Sequence, residues 1–292
     1  MMRVAVVGVG VMGSAIAGRL LDVGATLAVY DVVPDKCRAL AARGARVATS
    51  PRDAAAAAEF AITSLNNADV VERAVFAADG LAAAAANTLL VDMSSIDPGR
   101  TAAIAARLAG NGMGFIDAPL SGGAPAAARG ALTLMIGGSA ADVVRAEPLL
   151  KQLSARFTHF GGPGAGQTVK LINQIFCATH FFAVAEAVRF AEQHGVDATA
   201  IPAALAGGRA DSAVMQEFMA KFARRDYSPT GRIDNMLKDL ETVQAAALAK
   251  RIPLPVTSLI ADLHRMLVAA GFGPNDSAEY MRLFDLAADR AK

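Results

Sequence analysis

A single lysine stands in an otherwise apolar helical stretch, GAGQTVKLINQIFCATHFF, at residues 164–182. Lys170 has no carboxylate within a helical turn, and desolvation disfavours the charged form of an amine, so this lysine is a candidate general acid/base. Asn173 and Gln174 follow at positions i+3 and i+4, on the same helical face, where their amides can hold substrate hydroxyls or orient the ammonium. The alternative is a lysine that extends from a buried helix to solvent.

Histidine is the commonest general base, but no histidine is spaced to assist Lys170. His180 lies ten residues further on, about 15 Å along a continuous helix, so we expect it to pack or to line an interface. The other three are expected at the surface or at the ends of elements: His159, His194 and His264. Neither the histidines nor the two cysteines form a cluster with metal-ligand spacing, so no metal site is predicted.

A glycine-rich segment near the start of the chain has the spacing of a dinucleotide-binding loop. GVGVMG places Gly8, Gly10 and Gly13 straight after an apolar strand and at the opening of a helix, and Val11 and Met12 between the glycines are predicted to contact the cofactor with them. The first glycine permits a tight turn, the second lets a pyrophosphate approach the backbone, and the third lets helix and strand pack closely. A glycine turn in an unliganded α/β domain is the alternative.

The end of the second predicted strand bears on the choice of cofactor. Asp31 stands where an acidic side chain can accept hydrogen bonds from an adenosine ribose. Its carboxylate would repel a 2′-phosphate, and the following Val32 and Val33 supply no arginine to bind one. We therefore predict NAD rather than NADP.

A second glycine-containing segment has the features of a carboxylate site. Ser121, Gly122 and Gly123 follow a strand end at DAP, where open α/β sheets bind their ligands. Two glycines expose consecutive backbone N–H groups, and the serine adds a hydroxyl. The segment is predicted to cradle a substrate carboxylate, and a simple glycine-rich turn is the alternative.

The elements that must position these residues divide the chain in two. Strands are predicted at 3–8, 26–31, 60–65, 88–93, 114–119, 133–138 and 157–161. Helices between them indicate βαβ units and a mainly parallel sheet covered on both faces. After GGPGAG only helical periodicity remains, at about 166–194, 198–206, 212–223, 233–250, 255–270 and 276–289. We predict a Rossmann-type α/β domain over 1–162 and an all-α domain over 163–292, joined by a long helix.

The composition excludes several classes of protein. Hydrophobic residues make up 54% of the 292 residues and charged residues 19%, which indicates a compact globular protein. The formal net charge of +1, without basic runs, disfavours a nucleic-acid partner. No run approaches 18 uninterrupted apolar residues and no cationic leader is evident, so we expect no membrane span and a cytoplasmic location.

Four stretches together resemble the β-hydroxyacid dehydrogenase family, which includes 3-hydroxyisobutyrate dehydrogenase and, more distantly, 6-phosphogluconate dehydrogenase. They are GVGVMGSAIAGRL (8–20), DAPLSGGAPAAARGALTLMIGG (117–138), GAGQTVKLINQ (164–174) and LKDL (237–240). They occur in the family's order and spacing, and they cover essentially the whole chain. In DMSSI (92–96), SGGAP, KLINQ and GRIDNMLKDL (231–240) the sequence is most similar to the tartronate semialdehyde reductase branch.

The resemblance implies roles for particular residues. Lys170 matches the family's catalytic lysine, and Ser121–Gly123 match its substrate-binding segment. Gln174 stands where asparagine is commoner, which implies a substrate of different size. Further matched or neighbouring positions are implied near the cofactor or the substrate: Leu65 and Asn66, where the family usually has Leu-Pro; Ser95, where it commonly has threonine; Lys238 of the KDL motif near the cofactor; and Ser212 at the substrate pocket.

These observations predict an NAD-dependent oxidoreductase that acts on a short 3-hydroxyacid or its semialdehyde, of the 3-hydroxyisobutyrate, tartronate semialdehyde or threonate type. The family implies a homodimer or homotetramer formed through the helical half. The alternatives are a sugar-phosphate dehydrogenase, an imine reductase on the same scaffold, and a catalytically silent dinucleotide-binding module. Lys238 also has a simpler interpretation, as part of a solvated helix face with Asp239 and Glu241.

Overall fold

The computed structural model describes residues 1–83 and 87–285. The chain forms two compact units, Met1–Lys170 and a second unit that begins at Leu171. The division falls inside one long helix, Ala165–Gln193.

The first unit is an α/β domain. Its strands are β1 (Arg3–Val7), β2 (Thr26–Tyr30), β3 (Arg46–Val47), β4 (Phe60–Thr63), β5 (Leu89–Asp92), β6 (Phe115–Asp117), β7 (Leu120–Ser121), β8 (Leu132–Gly138) and β9 (Ser154–Gly161). Its helices are α1 (Val11–Asp22), α2 (Arg38–Ala41), α3 (Pro51–Ala55), α4 (Ala68–Phe76), α5 (Pro98–Ala109), α6 (Gly123–Ala128) and α7 (Ala140–Leu153). Short 3-10 turns occupy Pro34–Cys37 and Leu81–Ala83.

The described strands form one sheet in the order β3-β2-β1-β4-β5-β6-β8-β7, with β9 beside β8. The pairs from β3 to β6 are parallel, and β8 runs antiparallel to both β6 and β7. The predicted Rossmann-type, mainly parallel sheet is therefore confirmed. All seven predicted strands are present, whereas β3 and β7, at two residues each, are too short to give a periodic signal.

The sheet is buried on both faces because its strands alternate between two hydrophobic cores. In β1, Val4 and Val6 pack in a core with α1 and α7, while Ala5 and Val7 pack with α3, α4 and α5 on the opposite face. Side-chain caps begin several of the covering helices by accepting a backbone N–H of the first turn: Ser50 for α3, Asn67 for α4, Asp97 for α5 and Ser139 for α7.

The second unit is helical, as predicted. From α8 (Ala165–Gln193) the chain continues with α9 (Ile201–Leu205), α10 (Ala213–Ala223), α11 (Ile233–Ala249), α12 (Pro255–Ala269) and α13 (Arg282–Asp285). Short 3-10 turns, Ala198–Ala200 and Ser277–Met281, precede α9 and α13. The last predicted helix, 276–289, begins as that second turn, and the part beyond residue 285 lies outside the described residues.

Within the described residues, α8 is the one helix long and apolar enough to cross a membrane by length and composition. An apolar window of 18 residues within it is 39% buried. The core helix of a globular enzyme meets the same test, so a single such helix is weak evidence for a membrane span.

The core of the helical unit contains a buried polar pair that the sequence prediction misplaced. His264 was expected at the surface or at an element end, but it is fully buried. One ring nitrogen lies 2.8 Å from the Ile260 carbonyl oxygen and the other 2.9 Å from the Tyr280 hydroxyl. The prediction was wrong because one nitrogen of this histidine pairs with a carbonyl of its own helix and the other with a hydroxyl 16 residues away, which leaves no local pattern in the sequence. Burial lowers the pKa of His264 to about 4 and raises that of Tyr280.

We expect His264 to make the protein acid-labile. Between pH 6.5 and 4 the unfolded chain binds a proton that the folded protein does not, so stability falls as the pH falls through this range. His264→Gln should therefore lose less unfolding free energy than the wild type between pH 7 and pH 5, by on the order of 2 kcal/mol. Urea unfolding at both pH values measures this. Tyr280→Phe, which keeps the imidazole, should retain the wild-type loss, and equal losses in His264→Gln and wild type would contradict the assignment.

Candidate functional site

The three glycines of the first loop meet three different steric requirements. Gly8 has a φ of +94°, and a β-carbon there would collide with the Ser64 carbonyl oxygen. A β-carbon at Gly13 would overlap the carbonyl oxygen of Gly8, so α1 can approach the loop only with glycine at this position. At Gly10 a β-carbon would meet nothing within 4 Å. The space beside Gly10 is open, as the approach of a pyrophosphate requires.

The start of α1 borders this open space. Gly10 is the N-cap and supplies no side chain to the first N–H groups of the helix. Val11 is 79% exposed and Met12 is half-buried. Backbone N–H groups at a helix N-terminus, with the positive end of the helix dipole, form an anion site. The chain therefore fits the diphosphate of a dinucleotide without any further cation.

Asp31 holds the same loop from the end of β2. One carboxylate oxygen accepts the Val9 N–H at 2.8 Å, and the other accepts the Val33 N–H at 2.9 Å. Lys36 Nζ lies 3.5 Å from that second oxygen. Lys36, which played no part in the sequence-based prediction of NAD, therefore places a cation beside the predicted ribose-binding carboxylate.

The loops after β4 and β5 bond to each other. The hydroxyl of buried Ser94 accepts the Leu65 N–H at 3.0 Å, so Ser94 links the two loops. Ser95 is half-buried, which leaves part of its surface accessible. Asn66 is exposed, and the next residue, Asn67, caps α4. Both asparagines of the LNN segment are therefore exposed, and the second one caps α4.

Two buried carboxylates end neighbouring strands of the sheet. Asp92 and Asp117 are register partners on β5 and β6, and both are fully buried. Asp92 accepts the Thr63 hydroxyl at 2.8 Å, and burial raises its pKa. Burial also raises the pKa of Asp117, to about 6, although hydrogen bonds from the Gly164 and Gln167 N–H groups act in the opposite direction.

The predicted substrate turn contains two consecutive glycines in the left-handed region. Ser121 ends β7, and the next two residues, Gly122 and Gly123, have φ values of +118° and +67°. Both glycines are exposed and Ser121 is half-buried. Residues with a β-carbon rarely adopt these φ values, so the turn favours glycine at both positions.

The lysine of interest lies near the start of α8. Lys170 is 9% exposed. Gln167, one turn earlier, is fully buried and bonds through its side-chain amide to the carbonyl oxygen of Ser94, at 2.7 Å, and to the Ile96 N–H, at 3.2 Å. Gln167 therefore connects the helix that carries Lys170 to both sides of Ser95.

The two amides that follow Lys170 belong to a chain of hydrogen bonds. Asn173 Nδ2 donates to Gln174 Oε1 at 2.9 Å, and Gln174 Nε2 donates to Asp239 Oδ2 at 2.6 Å. The other oxygen of Asp239 lies 3.0 Å from Lys238 Nζ. Gln174 thus ties α8 to α11 inside the helical unit, and Asp239 braces both Gln174 and Lys238.

Gln174 and Asp239 also line a pocket of about 220 Å³ in the helical unit. Its apolar wall includes Phe181, Met236 and the ring of Tyr280. The hydroxyl of Ser277, also in the lining, is buried and has no hydrogen-bond partner among the described residues. The pocket therefore offers a small volume with polar groups at its edge.

The roles of two residues, Asp117 and Gln167, were not predicted. Both are buried polar groups that hold the site segments, and their polar character inside apolar stretches is the one signal of them in the sequence. Ser212, predicted at the substrate pocket, is the N-cap of α10 and accepts the Met215 N–H at 3.1 Å.

Comparison with known families accounts for nearly the whole chain. Residues 3–162 match the family model described as the NAD binding domain of 6-phosphogluconate dehydrogenase. Residues 164–284 match the one described as NAD-binding of NADP-dependent 3-hydroxyisobutyrate dehydrogenase.

Relatives that align over nearly their whole length support the same family. The NAD-dependent L-serine dehydrogenase of Pseudomonas aeruginosa is 34% identical, over 98% of each chain, and the 2-hydroxy-3-oxopropionate reductase of Escherichia coli is 32% identical, over 99% of each. The structure of Mycobacterium tuberculosis 3-hydroxyisobutyrate dehydrogenase with L-serine has a TM-score of 0.87 at 30% identity, covering 97% of this chain and 99% of that one. The chain therefore belongs to the β-hydroxyacid dehydrogenase family and is an NAD(P)-dependent hydroxyacid dehydrogenase.

Proposed function

We propose that the protein transfers a hydride between NAD and a short-chain 3-hydroxyacid or its semialdehyde, with Lys170 as the general acid/base. The observation that carries this proposal is the position of Lys170, a largely buried amine one helical turn after Gln167, whose amide bonds to both sides of Ser95. A lysine whose only role was to extend to solvent would not require its helix to begin with a buried, hydrogen-bonded turn.

The chain's own residues would divide the work as follows. The nicotinamide, when bound, supplies or accepts the hydride. Lys170 Nζ donates a hydrogen bond to the reacting oxygen, gives it a proton on reduction and takes that proton back on oxidation. The hydroxyl of Ser121 and the N–H groups of Gly122 and Gly123 bind the substrate carboxylate. The amides of Asn173 and Gln174 act on the substrate's hydroxyls or hold the ammonium in place.

A small substrate is favoured within the family. Relatives that cover the chain end to end are named for serine and for 2-hydroxy-3-oxopropionate, both three-carbon compounds. We propose that the substrate is of the tartronate semialdehyde type, and the basis for this choice is the glutamine at position 174.

The preference for NAD rests on Asp31. A 2′-phosphate placed beside its carboxylate would be repelled, since both groups are negative. Lys36, 3.5 Å from the carboxylate, offsets part of that charge. Because the Asp31 side chain is 8% exposed and bonded to two N–H groups, its position is fixed, whereas the side chain of Lys36 is 48% exposed. We therefore assign the dominant effect to Asp31 and propose that Lys238 adds a cationic contact to the cofactor.

We also propose that the protein forms a homodimer or homotetramer through its helical unit. Ile172, Phe176 and Phe190 are 46%, 59% and 67% exposed. At about 100° per residue they lie on one face of α8, although Thr179 and Glu186 share that face between Phe176 and Phe190. A second copy of the chain would cover these apolar side chains.

Two glycine substitutions should separate folding of the loop from binding of the cofactor. Gly13→Ala should lower both the melting temperature and NADH affinity, because its β-carbon has no room. Gly10→Ala should leave the melting temperature unchanged, because the space is open and φ is −74°, yet weaken NADH binding about tenfold or more. Thermal unfolding and NADH fluorescence titration measure both effects. Unaltered NADH binding in folded Gly10→Ala would exclude the proposed pyrophosphate position.

Replacement of Lys170 should lower the rate of the reaction and leave the affinity for the cofactor nearly unchanged. We expect Lys170→Ala and Lys170→Met to lower kcat by about 10²–10⁴, the usual contribution of a general acid/base, with NADH affinity within about twofold of the wild type. Steady-state kinetics and NADH titration provide the measurements. Lys151→Ala, which removes an exposed lysine paired with Glu147, is the matched control and should behave as the wild type. Near-normal turnover in both Lys170 variants would refute the mechanism.

A panel of C3 to C5 hydroxyacids and semialdehydes, each with both cofactors, tests substrate and cofactor together. We expect the highest kcat/KM for tartronate semialdehyde with NADH. This value should be at least about tenfold above kcat/KM for the same substrate with NADPH. Asp31→Asn should move that ratio toward NADPH, since the repelling charge is removed. Higher efficiency with NADPH would overturn the NAD assignment. Preferred turnover of 6-phosphogluconate or a cyclic imine would replace the substrate class, and no turnover at all would favour a silent dinucleotide-binding module.

A further inference from the structure

The start of α8 is held by a buried carboxylate from the sheet. Asp117 Oδ1 accepts the Gly164 N–H and Oδ2 accepts the Gln167 N–H, each at 2.8 Å. N–H groups of a first helical turn have no partner within the helix, and a carboxylate is the strongest acceptor available for them. The carboxylate therefore fixes where α8 begins relative to the end of β6.

The fit between helix and strands leaves no space for adjustment. A β-carbon at Gly166 would collide with the Met135 carbonyl oxygen and lie 2.8 Å from Asp117 Oδ2. A β-carbon at Gly137, on the neighbouring strand, would collide with the other carboxylate oxygen. The two glycines allow the backbone of the helix start and of β8 to lie directly against the carboxylate.

Gln167 then sets the rotation of the helix. Its side-chain amide donates to the Ser94 carbonyl oxygen and accepts the Ile96 N–H, so both of its polar atoms bond to the segment that contains Ser95. The residue is fully buried, as are its two partners. A rotation of α8 by a few tens of degrees would break both bonds and leave buried polar groups unsatisfied, which is energetically costly.

We propose that Gln167, anchored by Asp117, is a positioning residue for hydride transfer, which holds Lys170 in register with the Ser94–Ile96 segment. Lys170 lies three residues beyond Gln167 on the same helix, so an error in the placement of Gln167 is passed to the amine. The inference rests on the proposed role of Lys170. It assigns no chemistry to Gln167 itself, which acts through the geometry of another residue.

A double-mutant cycle tests the proposal. The variants are Gln167→Met, which keeps the volume and loses both hydrogen bonds, Lys170→Ala, and the two combined. The assay is NADH-dependent reduction of tartronate semialdehyde, or of the best substrate of the panel. Gln167→Met should lower kcat by about 10–100-fold, the effect of misplacing a catalytic group by about 1 Å, with the affinity for NADH within about twofold of the wild type. In the Lys170→Ala background the same change should have no further effect on kcat.

The outcomes separate this proposal from the function it rests on. If Lys170→Ala lowers kcat as expected but Gln167→Met costs the same factor in both backgrounds, Gln167 does not act through Lys170 and the positioning role is overturned. If Gln167→Met leaves kcat unchanged, it is also overturned. Near-normal turnover in Lys170→Ala refutes the proposed mechanism and this inference with it.

Two further variants guard against a general loss of structure. Gln167→Leu, a second apolar side chain of similar size, should show the same kcat loss and the same non-additivity as Gln167→Met; a full additive loss contradicts the proposal. Thr168→Ala, next along the helix, removes the hydroxyl of an exposed residue; among the described residues this hydroxyl bonds to the carbonyl oxygen of Gly164, just before the helix begins. It should keep the wild-type kcat, and a loss equal to that of Gln167→Met would show that any disturbance of this turn is sufficient and overturn the specific role.

Discussion

The buried carboxylate of Asp117 is the interaction on which the site segments depend. Burying an ionised group costs several kcal/mol unless hydrogen bonds replace its hydration, and here two backbone N–H groups of α8 do so. Burial nevertheless raises the pKa of Asp117 from its ordinary value to about 6. Because the donors belong to the first turn of the helix that carries Lys170, the strand end and the helix start are fixed together.

Close backbone packing follows from the same constraint. The glycine-rich stretch before α8 looks in the sequence like a flexible junction, but Gly164 and Gly166 are present for lack of space: a β-carbon at either would collide with the carbonyl oxygen of Pro98 or of Met135. Gly13 has the equivalent role at the other glycine loop, against Gly8. In both places glycine allows a helix start to approach a strand end, which is where α/β proteins bind ligands.

The sequence predicted the architecture well because the signals were periodic. Seven apolar strand runs and the long apolar helix gave the fold class, and the spacing of Gly8, Gly10 and Gly13 gave the loop, whose steric requirements the structure bears out. The pairings of buried polar groups could not be predicted, since a hydrogen bond between residues 50 or 70 positions apart leaves no local pattern. Asp117 with Gln167, Gln167 with Ser94, and Gln174 with Asp239 are of this kind. His264 was misplaced for the same reason, because its partner Tyr280 is distant in sequence.

The pairing of Gln174 with Asp239 changes how its extra methylene is interpreted. From the sequence alone, the longer side chain of glutamine suggests a donor that extends further toward a substrate. In the structure Nε2 donates to Asp239 and Oε1 accepts from Asn173, so the added length spans the distance between α8 and α11. A shorter side chain at this position would leave a buried carboxylate oxygen without its 2.6 Å partner, unless Asp239 or Lys238 moved. The position of the Gln174 amide is therefore a property of the four residues Asn173, Gln174, Lys238 and Asp239 together, because a change in any one of them moves the acceptor or donor of the next.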